Sequence, residues 1–542
     1  MKIQLSGFTG ELPRLDATAL PDNAASIATN VDLDNGVLAP LRGLAVVQPQ
    51  TLAGAIKTLY RYNPTPGDDS SGAWFEWLDE VDICLAPIRS NQQVIACYTG
   101  DSYPKITDRD SAIGAGVMPA NSYRLGVPAP AFSMVAVAGS GGGSDPVYQF
   151  ERDYVVTQVC QLGSLLMEGP PSSPSTVLTL SAGQTVDVSG IGGVPTGNYN
   201  LHSKRLYRRR VANGSGSYQL VAELPPGQDT FEDTLADTEI PGDVLGSQNW
   251  YPPPDSLHSL GALPNGLLYG ADGNDVVVSE PYRVHAWNPF ARYPCNYPVI
   301  GIGQAGNTIV ALTAENPFII SGLNPTAMSA TELKIDQGCL SRRSIVSGPF
   351  GVAYASPDGI VVVNGQNAGV VSEQLWSREQ WRDLNPASII ASHLDNRYIF
   401  SYTKTNGDAG GYIFDPKRPD LGLIHFDTPF TAVYKDALAD GLFVFADGNI
   451  QRFEQGSPLT YQWQSKVWTT RPRSFNCGRI EAASYSDLSF TLLRDGVEVM
   501  TQAVTSDRGF RLPAGLGSRW QFRLSGTERV YRITIADSMN EL

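Results

Sequence analysis

The chain contains little of what most catalytic and metal sites require. Its 542 residues include five histidines and six cysteines, and no two cysteines form a CxxC pair. It also lacks an HExxH zinc motif, a GxSxG nucleophile elbow and a Walker loop. We therefore expect no catalytic residues, no metal site, no cofactor and no enzymatic activity. The cysteines are expected to be buried free thiols of a chain folded in the cytoplasm.

Charge is also sparse, and one sign dominates. Lys, Arg, Asp and Glu make up 17% of the residues, and the formal net charge is −15. Such a chain repels the phosphates of nucleic acid, so a general DNA-binding surface is not expected. No apolar run approaches the roughly 18 residues of a membrane-spanning helix, so no membrane span is expected either.

Glycine and proline, by contrast, are abundant, with 54 and 38 residues. They suit many short strands joined by tight turns. Five hairpin-like segments recur in the second half of the chain, at steps of 42, 43, 46 and 44 residues, beginning at Leu267, Ile309, Val352, Tyr398 and Leu442. Each has an apolar run, a turn rich in Asp, Gly, Asn or Pro, and a second apolar run. A period in the forties is typical of β-propeller blades with about four strands each.

Other segments depart from this period and predict additional domains. Residues 146–250 hold about seven short strand signals without a Cys-Trp-Cys framework, which favours an inserted fibronectin type III or immunoglobulin-like sandwich. The turn at Asp495-Gly496 predicts a hairpin in a small separate C-terminal β-domain. The best short helix candidate is 371–384, whose Leu375, Trp376 and Trp381 would pack against the blades.

The predicted fold class is therefore all-β. It comprises a β-propeller of about six to seven blades, an inserted fibronectin- or immunoglobulin-like sandwich and a small C-terminal β-domain. The predicted divisions are an extended N-terminal arm (1–52), a first propeller part (53–145), the sandwich (146–250), the main propeller part (251–469) and the C-terminal domain (470–542). The arm is expected to lie on the body or on a neighbouring subunit.

A basic run stands out in this acidic chain, and it comprises Lys204, Arg205, Arg208, Arg209 and Arg210. On a strand, alternate side chains point to opposite faces, so Arg208 and Arg210 would share a face with Leu206. One interpretation is a solvated strand edge protected by charge. The other is a subunit-docking patch for an acidic surface of another subunit.

Propellers also host glycosidases in which an arginine trio holds a substrate carboxylate. The arginines that could be considered for this role are Arg342, Arg343, Arg378, Arg382 and Arg397. Such an enzyme also needs a tyrosine or two carboxylates at a fixed separation. The sequence indicates no such pair, so it does not favour a glycosidase.

Several ordered phrases resemble tail proteins of bacteriophages and prophages. They are the segments 265–289, 299–329 and 339–363, the GPPSSPS and KRLYRRR phrases of the insertion, and DLDNGVLAPLRGL near the start. The chain is most similar to the tail nozzle, or tail hub, of short-tailed phages. That resemblance implies a virion protein, assembled in the host cytoplasm, that forms a hexameric ring through which DNA passes without sequence-specific binding. It further implies an adaptor and portal above the ring, and fibres or a plug below it.

Two alternatives remain at this point. The chain could be a receptor-binding or glycan-active tail propeller, since a propeller face with aromatic residues and acidic loops can bind a surface glycan. It could also be a structural component of a long-tailed phage, because similar phrases recur there.

Overall fold

Short strands and tight turns account for nearly all of the regular structure. The computed structural model describes residues 2–65, 68, 71–142, 149–211, 216–240 and 242–542. Within those ranges the helices are short: α1 (Arg109–Ala112) and α2 (Arg378–Asp383), with 3₁₀ turns at Arg342–Ser344, Pro386–Ser388, Pro419–Leu421 and Met539–Glu541. A capping box between Ser377 and Gln380 begins α2. Leu375, Trp376 and Trp381 are buried against the blades, which confirms their predicted packing, whereas the helix is shorter than the predicted 371–384.

The N-terminal segment contributes five strands: β1 (Lys2–Leu5), β2 (Ala25–Thr29), β3 (Val31–Asp32), β4 (Ala39–Pro40) and β5 (Ala45–Pro49). The first propeller part follows with six more: β6 (Thr58–Tyr62), β7 (Ala73–Trp77), β8 (Asp82–Ser90), β9 (Gln93–Thr99), β10 (Lys105–Thr107) and β11 (Tyr123–Arg124).

An insertion then separates the two propeller parts. Its strands are β12 (Val135–Ala138), β13 (Gln149–Leu162), β14 (Leu165–Glu168), β15 (Leu178–Ser181), β16 (Val186–Ser189), β17 (Leu201–Val211), β18 (Gln219–Leu224) and β19 (Thr230–Asp233). One sheet has the order β12-β16-β19, and the other has the order β14-β13-β17-β18, with β15 also paired to β13. Buried apolar side chains from both sheets meet in one core, so the insertion is a two-sheet sandwich.

The insertion begins earlier than predicted, because β12 pairs with β16 inside it. The predicted boundary at residue 146 was therefore too late. The glycine-rich segment Gly139–Gly142, which follows β12, therefore lies within the insertion. The assignment of this sandwich to the fibronectin or immunoglobulin class stays a prediction.

The main propeller part carries nineteen strands in chain order. They are β20 (His258–Ala262), β21 (Leu268–Asp272), β22 (Asp275–Glu280), β23 (Arg283–Pro294), β24 (Val299–Ala305), β25 (Thr308–Thr313), β26 (Phe318–Ser321), β27 (Ser329–Glu332), β28 (Val346–Gly348), β29 (Gly351–Ser356), β30 (Gly359–Asn364), β31 (Asn367–Val370), β32 (Ile390–Leu394), β33 (Arg397–Thr403), β34 (Ala409–Phe414), β35 (Ile424–Phe426), β36 (Ala432–Asp436), β37 (Gly441–Ala446) and β38 (Asn449–Arg452). All five predicted hairpins are present, each as the second and third strands of its sheet.

Seven antiparallel sheets form the propeller, which lies within the predicted range. Numbered along the chain, the blades are β6–β7 (blade 1), β8–β11 (blade 2), β20–β23 (blade 3), β24–β27 (blade 4), β28–β31 (blade 5), β32–β35 (blade 6) and β36–β38 with β5 (blade 7). A buried apolar cluster fills each junction between neighbours, including the junction of blade 7 with blade 1. The ring is therefore closed, and strand β5 from the N-terminal segment completes its last blade.

The predicted N-terminal arm is an integral part of the body rather than an extended appendage. Strand β1 pairs with β46 (Val530–Ala536), and β2 pairs with both β35 and β39 (Tyr461–Ser465). The remaining C-terminal strands are β40 (Trp468–Arg473), β41 (Cys477–Ala482), β42 (Leu488–Arg494), β43 (Val497–Ala503), β44 (Phe510–Arg511) and β45 (Gly517–Gly526). They form the sheet β1-β46-β41-β44 and the second half of a ten-stranded sheet that begins in blade 6.

The C-terminal β-domain is therefore not separate, which corrects the prediction. It begins at β39 rather than at residue 470, and β2 joins it to blade 6 in one continuous sheet. One apolar core contains side chains of blade 6, blade 7, the N-terminal segment and the C-terminal strands, such as Ile399, Leu442, Phe8 and Trp520. The insertion lies elsewhere, since Met167 and Cys160 pack where blades 2 and 3 meet.

Candidate functional site

The concentration of charge at one end of the propeller axis is the first candidate site. The first strands of neighbouring blades lie in contact around this axis. Arg342 and Arg343 occupy a 3₁₀ turn that precedes the first strand of blade 5. Arg342 pairs with Asp82 at the start of blade 2. Its charge therefore crosses the axis to the opposite side of the ring.

Arg343 extends the same connection to blades 1 and 7. Its guanidinium donates to the carbonyl oxygen of Lys57 at 2.7 Å, and also to the carbonyl of Thr431. Asp82 in turn accepts a hydrogen bond from the backbone N–H of Ser259 in blade 3 at 2.6 Å. Two consecutive arginines thus link blade 5 directly to blades 1, 2 and 7, and Asp82 extends the connection to blade 3.

Gly301 lies beneath this connection and makes room for it. A Cβ atom there would lie 2.4 Å from Cδ1 of Ile345 and 3.2 Å from Cγ of Arg342. A cavity of about 160 Å³ is lined by Arg342, Arg343 and Asp82, and Glu80 also lines it. Burial lowers the pKa of both arginines, and the charge of Glu80 opposes that shift. The arrangement can hold the blades together, and the cavity has room for several water molecules or one small molecule.

A larger groove lies at the other end of the axis, where the first strands of blades 1 and 7 end. Its volume is about 600 Å³, and the lining includes Tyr60, Leu85, Arg89, Tyr434 and Leu438. The rings of Tyr60 and Tyr434 meet edge to face with centroids 5.0 Å apart. Leu438 is 72% exposed at its rim. Aromatic and cationic groups in one groove are suited to binding an organic ligand.

The predicted basic docking patch is not an exposed patch, because the insertion neutralises its own cations. Lys204 is buried and donates to the carbonyl of Ile191 at 2.5 Å. Arg208 is buried with Leu206 between the two sheets, where its Nη1 lies 2.7 Å from Asp233 Oδ2. Arg208 therefore faces the core rather than a partner.

The outward-facing members of the run are also paired. Arg205 binds Glu168 at 2.7 Å, and Arg209 binds Asp153 at 2.5 Å. Arg210 is more exposed, yet it lies 3.1 Å from Asp237. The predicted alternation of faces is confirmed for Arg208 and Leu206, whereas the prediction of a free basic surface was wrong.

The five arginines considered for a glycosidase do not converge. Arg342 and Arg343 lie at the axis, whereas Arg378 pairs with Asp358 at 2.7 Å on blade 5. Arg397 pairs with Glu454 at 2.8 Å between blades 6 and 7, and Arg382 lies exposed at the end of α2. These five arginines lie at separate places in the propeller, so they form no carboxylate-binding trio.

Two other sequence expectations concern cysteine and metal. All six cysteines are free thiols; Cys84 is partly exposed and the other five are buried. Over the residues that the structure describes, no group of three or more His, Cys, Asp or Glu could hold a metal ion. No helix in the same ranges has the length and apolar character of a membrane span.

Sequence reasoning missed a buried carboxylate in the N-terminal segment. Glu11 lies between β2 and blade 6, and its Oε2 accepts from the backbone N–H of Ala28 at 3.3 Å. Burial raises the pKa of Glu11 to about 7, although the hydrogen bonds from Ala28 and Tyr412 oppose the shift. A single Glu in an irregular segment gives no periodic signal, so its burial could not be predicted from the sequence.

Comparison with known proteins gives no family. No family model and no curated protein matches the chain. Among solved structures it is similar to the WD40 domain of Toxoplasma gondii coronin, with 9% identity and a TM-score of 0.26 over 74% of this chain and 89% of that one. It is also similar to YCF48 from Cyanidioschyzon merolae, with 11% identity and a TM-score of 0.24 over 76% and 98%.

A further similar chain comes from a structure of S. cerevisiae dbp5 bound to nup159 and gle1. The identity is 9% and the TM-score 0.25, and the match covers 37% of the present chain. The chain spans 62% of the length of that relative. At these identities and TM-scores the similarities carry no inference about function.

Proposed function

We propose that the chain is a structural virion protein of a phage tail, forming the nozzle ring below the portal and adaptor. In this role it retains the packaged DNA and lets it leave during ejection. The resemblance of its ordered phrases to tail nozzle proteins motivates the proposal. The adaptor and portal would contact it from above, and fibres or a plug from below.

The structural observation that carries the proposal is the joining of propeller and C-terminal domain into one body. Strand β2 lies between β35 of blade 6 and β39 of the C-terminal domain, so the two share a ten-stranded sheet. Strand β5 closes the ring, and the arginines at the axis connect opposite blades. A subunit built without a hinge between these parts suits the wall of a conduit that must keep its shape.

The charge balance also supports a conduit. A net charge of −15 disfavours adhesion of DNA phosphates to the wall, so the genome would pass rather than bind. The proposal therefore requires no sequence-specific contact with DNA.

Electron microscopy of the purified chain, alone and mixed with a candidate adaptor ring, tests the proposal. We expect six-fold rings with a central opening, either directly or once the adaptor is added. Monomers that persist in the presence of a folded adaptor ring would contradict it. The same grids would show whether the propellers lie in the wall of the ring.

The groove at the end of blades 1 and 7 favours one alternative, a receptor-binding or glycan-active tail propeller. Tyr60, Tyr434 and Leu438 supply apolar surface there, and Arg89 supplies charge. A glycan array followed by titration of any bound sugar would test it. Binding that is lost in Leu438→Glu but retained in Glu379→Lys, a change on distant helix α2, would favour the alternative.

A further inference from the structure

The acidic charge of the chain is distributed unequally. Residues 461–542 contain eleven Lys and Arg but eight Asp and Glu, a net charge of +3, so the remaining 460 residues carry −18. The insertion is part of the acidic share, because residues 132–250 contain twelve Asp and Glu against six Lys and Arg. One chain thus presents a basic domain and an acidic domain.

Four cations, Lys2 and three of the eleven in residues 461–542, lie on one side of the sheet β1-β46-β41-β44. The pairing of these strands aligns Lys2, Ala536, Cys477 and Arg511 in one row across the sheet. Ile535 and other apolar residues of the adjacent row face the core, so the Lys2 row lies on the opposite side of the sheet. Lys2 and Arg511 are exposed at its two ends, whereas Ala536 and Cys477 between them are buried, with Asp537 and Glu541 close to Cys477.

Two more outward rows continue this face. One aligns Gln4 with Thr534 and Arg479, and the other aligns Arg532 with Glu481. Glu481 is the single acidic residue of these rows, and it lies 3.5 Å from Arg532 and 4.0 Å from Arg479. We call this surface, with Lys2, Arg479, Arg511 and Arg532, the basic face. Lys2 and Arg511 have no ion-pair partner among the residues that the structure describes.

The insertion presents a complementary surface on its three-stranded sheet β12-β16-β19. Val137, Asp187 and Glu232 align in one outward row, and Val135, Ser189 and Thr230 align in the next. We call these six residues the acidic face. Val135 and Val137 are each 53% exposed. Like charges directly opposite each other on a sheet are unfavourable, so the cross-strand pair of Asp187 and Glu232 is costly without a cation.

The insertion has no cation left for this pair. Its arginines bind acids elsewhere in the insertion, and Lys204 is buried against a carbonyl. Across the described part of the chain, neither Asp187 nor Glu232 has an ion-pair partner. The cations of the basic run are therefore already bound within the insertion, and the acidic residues Asp187 and Glu232 remain on its outer surface.

The two faces lie on opposite sides of the propeller. The insertion packs at the junction of blades 2 and 3, whereas the C-terminal domain continues from blade 6. In a ring of seven blades these positions are nearly as far apart as possible. The two faces of one molecule therefore cannot meet, but the basic face of one copy can meet the acidic face of the next.

We propose that the acidic face of the insertion docks on the basic face of the C-terminal domain of a second copy, head to tail. This inference rests on the proposed function, because it identifies the contact that repeats around the nozzle ring. A contact between two different surfaces generates a closed ring when the rotation between copies closes. Both sheets are outward-facing, and their opposite charges would orient the encounter.

The residues around the two faces favour a protein partner over DNA. Tyr531 is 46% exposed beside Arg532, and Met539 is 52% exposed in the final turn. Tyr, Met and Arg are enriched in protein interfaces, whereas a phosphate-binding surface has no need of exposed apolar side chains. The acidic face also combines exposed valines with negative charge. It would repel the phosphates of DNA, so it is not suited to DNA binding.

Charge reversal with mixing tests the proposal. The first variant carries Lys2→Glu and Arg511→Glu, which reverses the basic face without breaking an ion pair of the described structure. The second carries Asp187→Lys and Glu232→Lys. Each variant alone should associate with itself roughly a hundredfold more weakly than the wild type in sedimentation velocity at low ionic strength.

Two combinations should restore association. In an equal mixture, the reversed face of each variant meets the reversed face of the other, so alternating copies assemble. A single chain carrying all four changes should assemble with itself. Glu379→Lys and Arg382→Glu on α2, which lie outside both faces, are matched controls and should associate like the wild type. Far-ultraviolet circular dichroism and thermal melts establish that each variant is folded.

The outcomes separate this inference from the proposed function. Variants that self-associate like the wild type, or a mixture that fails to restore assembly, would overturn the contact. A wild-type chain that stays monomeric at high concentration and low ionic strength would also overturn it, while adaptor-dependent rings would still support the nozzle. Tighter binding of double-stranded DNA by the wild type than by the Lys2→Glu, Arg511→Glu variant, with unchanged self-association, would assign the basic face to DNA instead.

Discussion

The insertion and the C-terminal domain are both two-sheet β-structures on the same propeller, yet they are attached in different ways. The chain enters and leaves the insertion at neighbouring points, since a Cβ on Gly126 would lie 2.5 Å from Cα of Pro252. The C-terminal domain instead takes β1 and β2 from the opposite end of the chain. The insertion is therefore attached to the ring where its two ends meet, whereas the C-terminal domain shares strands with the N-terminal segment.

The interiors of the insertion and the C-terminal domain also differ, in continuity and in polarity. The core of the C-terminal domain is apolar and continuous with that of blades 6 and 7. The insertion encloses an ion pair between Arg208 and Asp233, beside its own apolar cluster. Buried ion pairs add little net stability but are costly to break. The comparison suggests that the insertion is self-contained, whereas the C-terminal domain depends on the rest of the chain.

The largest difference is expected between a chain that lacks the N-terminal strands and a chain that lacks the insertion. Removing residues 2–30 takes away β1 and β2 and leaves the edges of β46, β35 and β39 uncovered, so we expect loss of the folded C-terminal domain. Replacing residues 129–250 with a short Gly-Ser linker should leave the propeller and C-terminal domain folded, because the two ends of the insertion lie close together. Circular dichroism and amide hydrogen exchange would measure both. A folded C-terminal domain without the N-terminal strands would remove the distinction.

Asp233→Ala should destabilise the insertion by up to about 3–5 kcal/mol, because it removes the fully buried partner of Arg208 and leaves only the partly exposed Asp237, at 3.0 Å. Denaturant unfolding with hydrogen exchange of β13 and β17 would measure the loss. The double change Arg208→Met with Asp233→Leu should recover much of it. Arg210→Ala is the matched control, since that side chain is 59% exposed, and should change stability by less than about 1 kcal/mol. Equal effects of Asp233→Ala and Arg210→Ala would contradict the buried pair.

Glu11→Gln should remove a pH dependence located where the N-terminal segment crosses blade 6. The pKa of Glu11 is about 7 in the folded chain against an ordinary value of 4.5. Between these values the unfolded chain loses the proton while the folded chain keeps it, so the free energy of unfolding falls as pH rises. The total fall is of order 3 kcal/mol, complete above about pH 7.

Urea midpoints from pH 4 to pH 8 would measure this slope. The Glu11→Gln chain should be more stable than the wild type at pH 8 and similar to it at pH 4. Glu379→Gln on the exposed face of α2 serves as the control. A slope that survives in Glu11→Gln would assign the pH dependence to another group.

Gly496→Ala should give the smallest effect. The turn between β42 and β43 holds Asp495 at φ 50° and Gly496 at φ 86°, and nothing lies within 4 Å of an added Cβ at position 496. The cost therefore comes from backbone conformation alone, about 1 kcal/mol. A thermal melt would measure it, and the insertion should keep its hydrogen-exchange pattern. A loss of several kcal/mol would show that the turn does more than reverse the chain.

Local patterns predicted much of the fold from the sequence. The five hairpins, the Asp495-Gly496 turn and the packing of Trp381 depend on residues close in the chain, and all are confirmed. Strand pairing between distant segments leaves no such pattern. Nothing in the irregular sequence of residues 1–52 indicates that β2 pairs with β39 or that β5 completes blade 7, so the sequence left open whether the arm lies on the body or on a neighbouring subunit.

The candidate sites were harder to predict for a related reason. The basic run identified a strand and its two faces, but the acids that neutralise it come from β13, β14 and β19 and the loop after β19. The sequence indicates the presence of Asp153, Glu168, Asp233 and Asp237 without their proximity. The row of Asp187 and Glu232 also requires the register of two strands that are about forty residues apart in the chain.

The closure of blade 7 by β5 also sets an order of events during synthesis. Strand β5 ends at Pro49, and its partner β38 begins at Asn449, so about 400 residues must be translated between them. At typical elongation rates of 5–20 residues per second, the first strand waits roughly 20 to 80 seconds for its partner. A ribosome that stops early releases a chain whose ring is open. Complete translation is therefore a condition for a closed propeller, and unfinished chains are kept out of any assembly that the closed form builds.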